Sequence, residues 1–179
     1  MTDIKRKIII RIACEKDALA LSKLAAILFH QAYLESMPSD VLNSYIAENF
    51  GVTQQLTELL DPNITTFIVE IENVLVGFAQ LRLQPVPVAL DFEVSAQLWR
   101  IYLDRSCHGL GVGRQLLSWL RESAREMFHD KIWLGVWEHN PKAIAFYTKL
   151  EFKEIGNQAF YIGTEIQNDL VFIGSTSDL

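Results

Sequence analysis

Cysteine is scarce in this chain. Only Cys14 and Cys107 occur among 179 residues, which leaves no disulfide framework and no zinc site to argue for. Long apolar runs are missing as well. No stretch approaches the roughly 20 residues needed to span a bilayer. The short apolar run near the N-terminus, KIIIRIA, is interrupted by Arg11 and gives way to Cys14-Glu15-Lys16-Asp17, so it makes a poor signal peptide. A cytoplasmic location with no membrane partner is the default expectation. An excess of positive charge is lacking too. Sixteen basic against 22 acidic residues give a net charge of −6, which argues against broad nucleic-acid binding. The same charge is compatible with a cationic substrate. Internal repeats, linkers and low-complexity segments are absent, so residues 1–179 read as one domain with a sizeable core. Oligomeric state stays open, a homodimer included.

Half of the residues are apolar and 21% are charged, as in ordinary globular proteins. Lys7 to Ala13 reads as a first strand. Leu19, Leu21, Leu24, Ala25, Leu28 and Phe29 then give an apolar helical face that runs to about Tyr33. Glu15 or Asp17 stands near its start, where acids favour the helix dipole. Further helical regions cover Val41 to Asn49, with Ser39 or Asp40 as the expected N-cap, and Thr53 to Leu60. Thr65 to Ile71 and Val74 to Leu83 read as a hairpin about Glu72-Asn73. Val88 to Ala96 is ambiguous between loop and strand. After it come a strand at Trp99 to Leu103, a helix, a near-continuously apolar strand at Lys131 to Trp137 and a short helix from Pro141, capped by Asn140. Strand pieces at Phe152 to Ile155, Ala159 to Ile162 and Asp169 to Ile173 close the chain. The order β, α, α, β, β, β, α, β, α, β, β fits a single-domain α/β fold with a mixed sheet. Trp119, Trp133 and Trp137 read as core.

The informative stretch is Trp99 to Leu120, WRIYLDRSCHGLGVGRQLLSWL. A strand passes through a polar loop into Gly109, Gly111 and Gly113, and then into a helix. Backbone N–H groups and the positive end of the helix dipole converge there, and glycine lets an anion come close. The spacing fails G-x-G-x-x-G in both registers, since Arg114 and Leu116 stand where the last glycine belongs. It also fails the P-loop pattern. One alternative is a glycine turn that only packs helix on strand. The run His108-Gly109-Leu110-Gly111-Val112-Gly113 resembles the pyrophosphate-binding motif Q/R-x-x-G-x-G/A of the GNAT superfamily of acetyl-CoA-dependent N-acetyltransferases, with His108 in place of Gln or Arg. Asn140, Ala143, Phe146, Tyr147, Lys149 and Phe152 are similar to a second segment of that superfamily, N-x-x-A-x-x-F-Y-x-K-x-G-F. Glu151 replaces its glycine. The run from Ile132 to Phe152, with AFYIGTEIQNDLVFI after it, looks like bacterial spermidine/spermine N-acetyltransferases.

The resemblance implies the GNAT, or acyl-CoA N-acyltransferase, fold: a mostly antiparallel twisted sheet flanked by helices. It implies acetyl-CoA as co-substrate, no metal, and direct transfer to a small-molecule amine. His108, Gly109, Leu110, Gly111, Val112, Gly113 and Arg114 would hold the pyrophosphate, with Arg105 adding charge. Ile101, Tyr102 and Leu103 would meet the pantetheine arm and the thioester, and Asn140 would bond the same arm. Tyr147 would be the general acid; a phenol with a pKa of about 10 keeps its proton at neutral pH. Related enzymes often carry a Glu on the strand before the loop, where this chain has Gln97 and Trp99, neither of them a base. Glu93 is the candidate carboxylate, with Asp91 beside it. Cys107 lies near Arg105 and His108, so its thiol is expected to be somewhat acidic but incidental. Glu35, Asp40, Glu48, Glu58 and Asp61 concentrate acid on the side that usually receives the acceptor. They would suit a polyamine, or they are a solvated helix face. Other acceptors stay open: a protein N-terminus, an amino acid, an antibiotic. So does a non-catalytic acetyl-CoA-sensing module.

Overall fold

The computed structural model describes residues 7–87, 95–107, 109–127 and 129–177. Seven strands form one sheet in the order β1-β2-β3-β4-β5-β7-β6. They are β1 (Ile8–Ile12), β2 (Ile64–Ile71), β3 (Val74–Leu83), β4 (Ala96–Leu103), β5 (Lys131–Trp137), β6 (Lys153–Ile162) and β7 (Glu165–Ser175). Five α-helices accompany them: α1 (Ala18–Tyr33), α2 (Ser39–Asn49), α3 (Val52–Leu60), α4 (Val112–Glu126) and α5 (Pro141–Lys149). The sheet is mostly antiparallel, as the resemblance implied; β4 and β5 pair in parallel at Ala96 with Ile132 and Gln97 with Trp133. No helix among the described residues is long and apolar enough to cross a membrane.

The chain divides into two compact units, one of Met1–Gln80 with Arg100–Leu116 and one of Leu81–Trp99 with Leu117–Leu179. In the first, β1 runs antiparallel to β2 from Ile8 opposite Ile71 to Ile12 opposite Phe67. Asp17 ties the entry to α1. Its carboxylate accepts the Cys14 N–H at 2.8 Å and pairs with Arg11 at 2.8 Å. The core of this unit holds Leu21, Ala25 and Phe29 of α1 with Leu42, Phe50 and Phe67. The N-cap of α2 differs from expectation: Pro38 occupies it, and neither Ser39 nor Asp40 does. Proline with its extended ψ of 141° sets the chain up for a helix that starts one residue later.

In the second unit β7 pairs along its length with both β5 and β6. The three short strand pieces expected at the C-terminal end are thus two long strands. Gly156, which reads as punctuation, sits instead at a bulge where the register shifts after Glu154. Leu120, Ala124, Ile132, Leu134 and Phe172 form buried core in this unit. Trp133 is buried as expected, but Trp119 is 49% exposed on α4 and does not belong to the core.

Candidate functional site

The glycine stretch leaves β4 through a set of backbone turns in the first unit. Asp104 donates its N–H to the Val76 carbonyl at 2.8 Å, and its carboxylate accepts the Ser106 N–H at 2.8 Å. A single 3-10 turn, Arg105–Cys107, follows. Gly109 and Gly111 then adopt φ of +77° and +74°. That left-handed conformation is cheap for glycine and strained for other residues. Among the described residues, a Cβ placed on either glycine would meet nothing within 4 Å. Packing of helix on strand therefore does not explain these two glycines; backbone handedness and open space do. Val112 opens α4 and is fully buried, which anchors the helix start. Gln115 donates to the Gly111 carbonyl at 3.1 Å, so Gly111 caps the helix. The first-turn N–H groups have no intrahelical acceptor and face the glycine turn, together with the positive end of the dipole. Leu110 is 39% exposed, Arg105 and Arg114 are exposed, and Gly113 lies within the first turn of α4.

The strand before the turn is held close to its neighbour. A Cβ on Gly77 of β3 would come within 2.9 Å of the Tyr102 carbonyl oxygen, so only glycine permits that approach. Tyr102 packs against Phe78 and Phe29, with ring centroids 5.6 Å and 6.1 Å away. Burial, with Tyr33 and Tyr45 nearby, pushes its hydroxyl well above the ordinary phenol range. Ile101 and Leu103 are half-buried beside it.

Tyr147 and Asn140 lie on α5, in the second unit. Asn140 caps the helix: its side-chain oxygen accepts the Ala143 N–H at 3.1 Å, with Pro141 at the first helical position. The far end closes in a Schellman motif. Phe152 donates its N–H to the Tyr147 carbonyl at 3.1 Å, and Glu151 donates to Thr148 at 3.1 Å. Glu151 takes φ of +63° there, which explains why the superfamily pattern has glycine at this place. The Phe152 ring completes the motif 5.6 Å from the Tyr147 ring, and Phe146 packs edge-on at 5.2 Å. Tyr147 is 5% exposed, and burial pushes its hydroxyl above the ordinary phenol value. It therefore stays a neutral donor across the working pH range. No hydrogen-bond partner for that hydroxyl exists among the described residues.

Two sequence-predicted residues, His108 and Glu93, lie outside the described residues, as does Asp91. The others fall into two sets: Ile101, Tyr102, Leu103 and the glycine turn through Arg114 in the first unit, and Asn140 with Tyr147 in the second. Among the described residues no cluster of His, Cys, Asp and Glu is placed to hold a metal ion.

Two expectations are corrected. The Cys107 thiol is less acidic than usual, because burial pushes its pKa up from 9.0; its sulfur points to the Val76 carbonyl at 3.8 Å. Glu58 is no part of a solvated acidic patch. It is 3% exposed and pairs with Arg100 at 2.7 Å, while Gln80 donates to the same carboxylate oxygen at 2.8 Å. A third residue escaped sequence reading. Asp169 heads the segment DLVFI, but it lies within β7, opposite Trp137 on one side and Gln158 on the other. Burial pushes its carboxyl from 3.8 up to about 6. The folded state thus binds this proton more tightly than the unfolded chain. Asp169 makes stability fall as pH rises through the window from about 4 to about 6, and leaves it level above. Asp169→Asn is expected to melt higher than wild type near pH 7, with the gap closing below about pH 4. Equal melting temperatures near neutrality would discard the assignment.

Residues 26–152 match the acetyltransferase (GNAT) family. An uncharacterised N-acetyltransferase of Lactobacillus delbrueckii subsp. lactis is 30% identical over 64% of this chain and 66% of its own length. Another, from Mycobacterium bovis, is 27% identical over 88% of this chain and 96% of its own. The fold is similar to that of the PaiA N-acetyltransferase of Thermoplasma acidophilum, solved with coenzyme A. Its TM-score is 0.77 at 20% identity, over 94% of this chain and 99% of that one. With a left-handed glycine turn leading into α4 and the family's span reaching through the Tyr147 segment, the chain belongs to the acetyltransferase (GNAT) family of acetyl-CoA-dependent N-acetyltransferases.

Proposed function

We propose that this protein binds acetyl-CoA through the Gly109–Arg114 turn and passes its acetyl group directly to a small primary amine. The observation that carries this reading is the pair of left-handed glycines with open space in front of them, leading into a helix N-terminus. Such a place suits a pyrophosphate. Arg105 and Arg114 add positive charge, and His108 takes the position of the family's Gln or Arg. The backbone of Ile101, Tyr102 and Leu103 meets the pantetheine arm and polarises the thioester carbonyl. A preorganised donor of that kind is often worth a few kcal/mol in the transition state. Asn140 bonds the same arm while its side-chain oxygen caps α5.

The amine arrives mostly as ammonium, since its pKa is near 10. Glu93 is the carboxylate we assign to take one proton. The neutral nitrogen then attacks the thioester carbon, a C–N bond forms and the C–S bond breaks. The second nitrogen-bound proton is lost, and the departing sulfur is protonated with the Tyr147 hydroxyl as donor. Ammonium and thioester thus give amide, free thiol and one proton. A polyamine is one candidate acceptor, but loss of Glu58 from the exposed acids removes part of its support. A non-catalytic acetyl-CoA sensor is the second reading, favoured by Gln97 and Trp99 where related enzymes carry Glu.

Thiol release from acetyl-CoA, measured across polyamines, amino acids, aminoglycosides, hydrophobic monoamines and short peptides, tests the reading. Release that depends on an amine supports it. Tight acetyl-CoA binding with no release from any amine supports the sensor instead. Gly111→Glu is expected to weaken acetyl-CoA binding by about a hundredfold or more. It places a carboxylate where the phosphates sit and forces a side chain into the left-handed region. Unchanged calorimetric affinity would refute the placement of the cofactor.

A further inference from the structure

We propose that Arg121 is a positioning residue for the acetyl transfer: reaching from α4, it fixes the last turn of α5 and so the place of the Tyr147 hydroxyl. The inference rests on the reading of Tyr147 as general acid. Every residue it uses lies in the second unit.

The need for such a residue follows from the helix. α5 has nine residues, which is about two and a half turns. A helix this short keeps its shape through tertiary contacts rather than by its own propensity. Asn140 and Pro141 fix its start. Tyr147 stands in the turn at the other end, shortly before Lys149 closes the helix. The last carbonyls of a helix have no intrahelical donor, and an end left so frays. A general acid has to be held within about 0.5 Å of its productive place. Fraying at Tyr147 would therefore cost rate even with every contact to the cofactor intact.

Arg121 closes that end. Its Nη2 donates to the Leu150 carbonyl at 2.9 Å, and Leu150 is the C-cap of α5. Leu150 and Phe152 in turn donate their N–H groups to the Tyr147 carbonyl at 3.0 Å and 3.1 Å. The Arg121 guanidinium also lies 5.3 Å from the centre of the Phe152 ring, inside the cation–π range of about 6 Å. The same ring packs 5.6 Å from the ring of Tyr147. It presses on Gly174 of β7 as well, where a Cβ would come within 2.9 Å of it. Arg121 thus grips both the backbone and the ring that bear on Tyr147. Its burial speaks for a positional role. Arg121 is 6% exposed, and a guanidinium out of water gives up hydration that a leucine would never have had. What it supplies is direction. A planar fork can donate to a carbonyl and lie against a ring at once, which leucine cannot do and lysine does less well. The C-terminal end of a helix also carries the partial negative charge that suits a cation.

Two measurements on the full-length protein test this. Amide hydrogen exchange reads the anchor without any substrate. In Arg121→Met the Leu150 and Phe152 amides should exchange about tenfold faster than in wild type, with those of β5 unchanged. Thiol release from acetyl-CoA, with spermidine, phenylalanine, kanamycin, 2-phenylethylamine and trialanine as acceptors, reads the consequence. With the fastest of these, Arg121→Met should lower kcat about tenfold or more and leave KM for acetyl-CoA within about twofold. Added to Tyr147→Phe, the same substitution should change turnover by less than about twofold, because an absent hydroxyl cannot be misplaced. A residue with a merely structural role would multiply its loss onto that of Tyr147→Phe. Arg121→Lys keeps the charge and a donor without the fork, so it should recover part of the loss. It takes the place of Arg121→Met in both measurements if that variant fails to fold. Unchanged exchange at Leu150 and Phe152, wild-type kcat, or losses that multiply would each overturn the inference. Wild-type turnover in Tyr147→Phe, or no release with any acceptor, would strike the reading beneath it and the inference with it.

Discussion

Replacing Glu58 by alanine is expected to lower the unfolding free energy by about 3–5 kcal/mol, because it strands a buried guanidinium. Arg100 is 6% exposed, and its Nη1 donates to Glu58 at 2.7 Å and to Gln80 at 2.8 Å. Its guanidinium also lies 4.8 Å from the centre of the Phe50 ring. Removing the carboxylate takes away the counter-charge at 2.7 Å, which the Gln80 amide and the Phe50 ring do not replace. The loss is a large part of the roughly 5–15 kcal/mol that typical domains possess. A urea unfolding midpoint close to wild type would show that the pair contributes little. The double variant Glu58→Met/Arg100→Met separates the pair's net worth from the cost of breaking it. Apolar replacement of both charges is often neutral, so the double variant should recover much of what Glu58→Ala loses.

Tyr147→Phe is expected to reduce turnover by about 10²–10⁴-fold, the range for loss of a positioned general acid. Acetyl-CoA affinity should stay within about twofold, since only a hydroxyl is removed and the ring remains packed. Stability should change little, because no described residue bonds that hydroxyl and Phe146 and Phe152 pack against the ring. Burial raises the Tyr147 proton affinity, so the activity profile should show no alkaline limb from this group below about pH 10. Wild-type turnover in the phenylalanine variant would remove Tyr147 from the chemistry.

Much of this architecture was readable from residue patterns, and the misses share causes. β3 and β5 fall at Val74–Leu83 and Lys131–Trp137, as the patterning put them. One follows a clear two-residue turn, and the other is apolar enough to be central. Asn140 and Pro141 announced α5 because cap and first-turn chemistry are local. β4 begins at Ala96, ahead of the Trp99 at which its apolar run becomes obvious, since Ser95 and Gln97 are buried although polar. Glu58 and Asp169 were illegible for a different reason. A carboxylate on a helix or strand looks alike in sequence whether water or an arginine faces it. Only tertiary context makes one a paired ion and the other a lone acid in a cavity. The glycine turn was the clearest sign of a site, because its positions demand a backbone that other residues adopt only with strain.

The cluster of Glu58, Gln80 and Arg100 also bears on how the polypeptide acquires its shape as it is made. The first unit is not continuous in sequence: it stops at Gln80 and resumes at Arg100. Domains tend to fold as units, N-terminal parts first during synthesis. Here the opening stretch cannot do so alone. Until Arg100 has left the ribosome, the Glu58 carboxylate has no guanidinium to meet, and the nascent segment would have to bury its negative charge on the amide donors of Gln54, Gln55 and Gln80 alone. Folding of this unit should therefore wait for a segment made well after its helices. A fragment ending at Gln80 should be unstructured when released, open to proteases and dependent on chaperones in a way the finished protein is not.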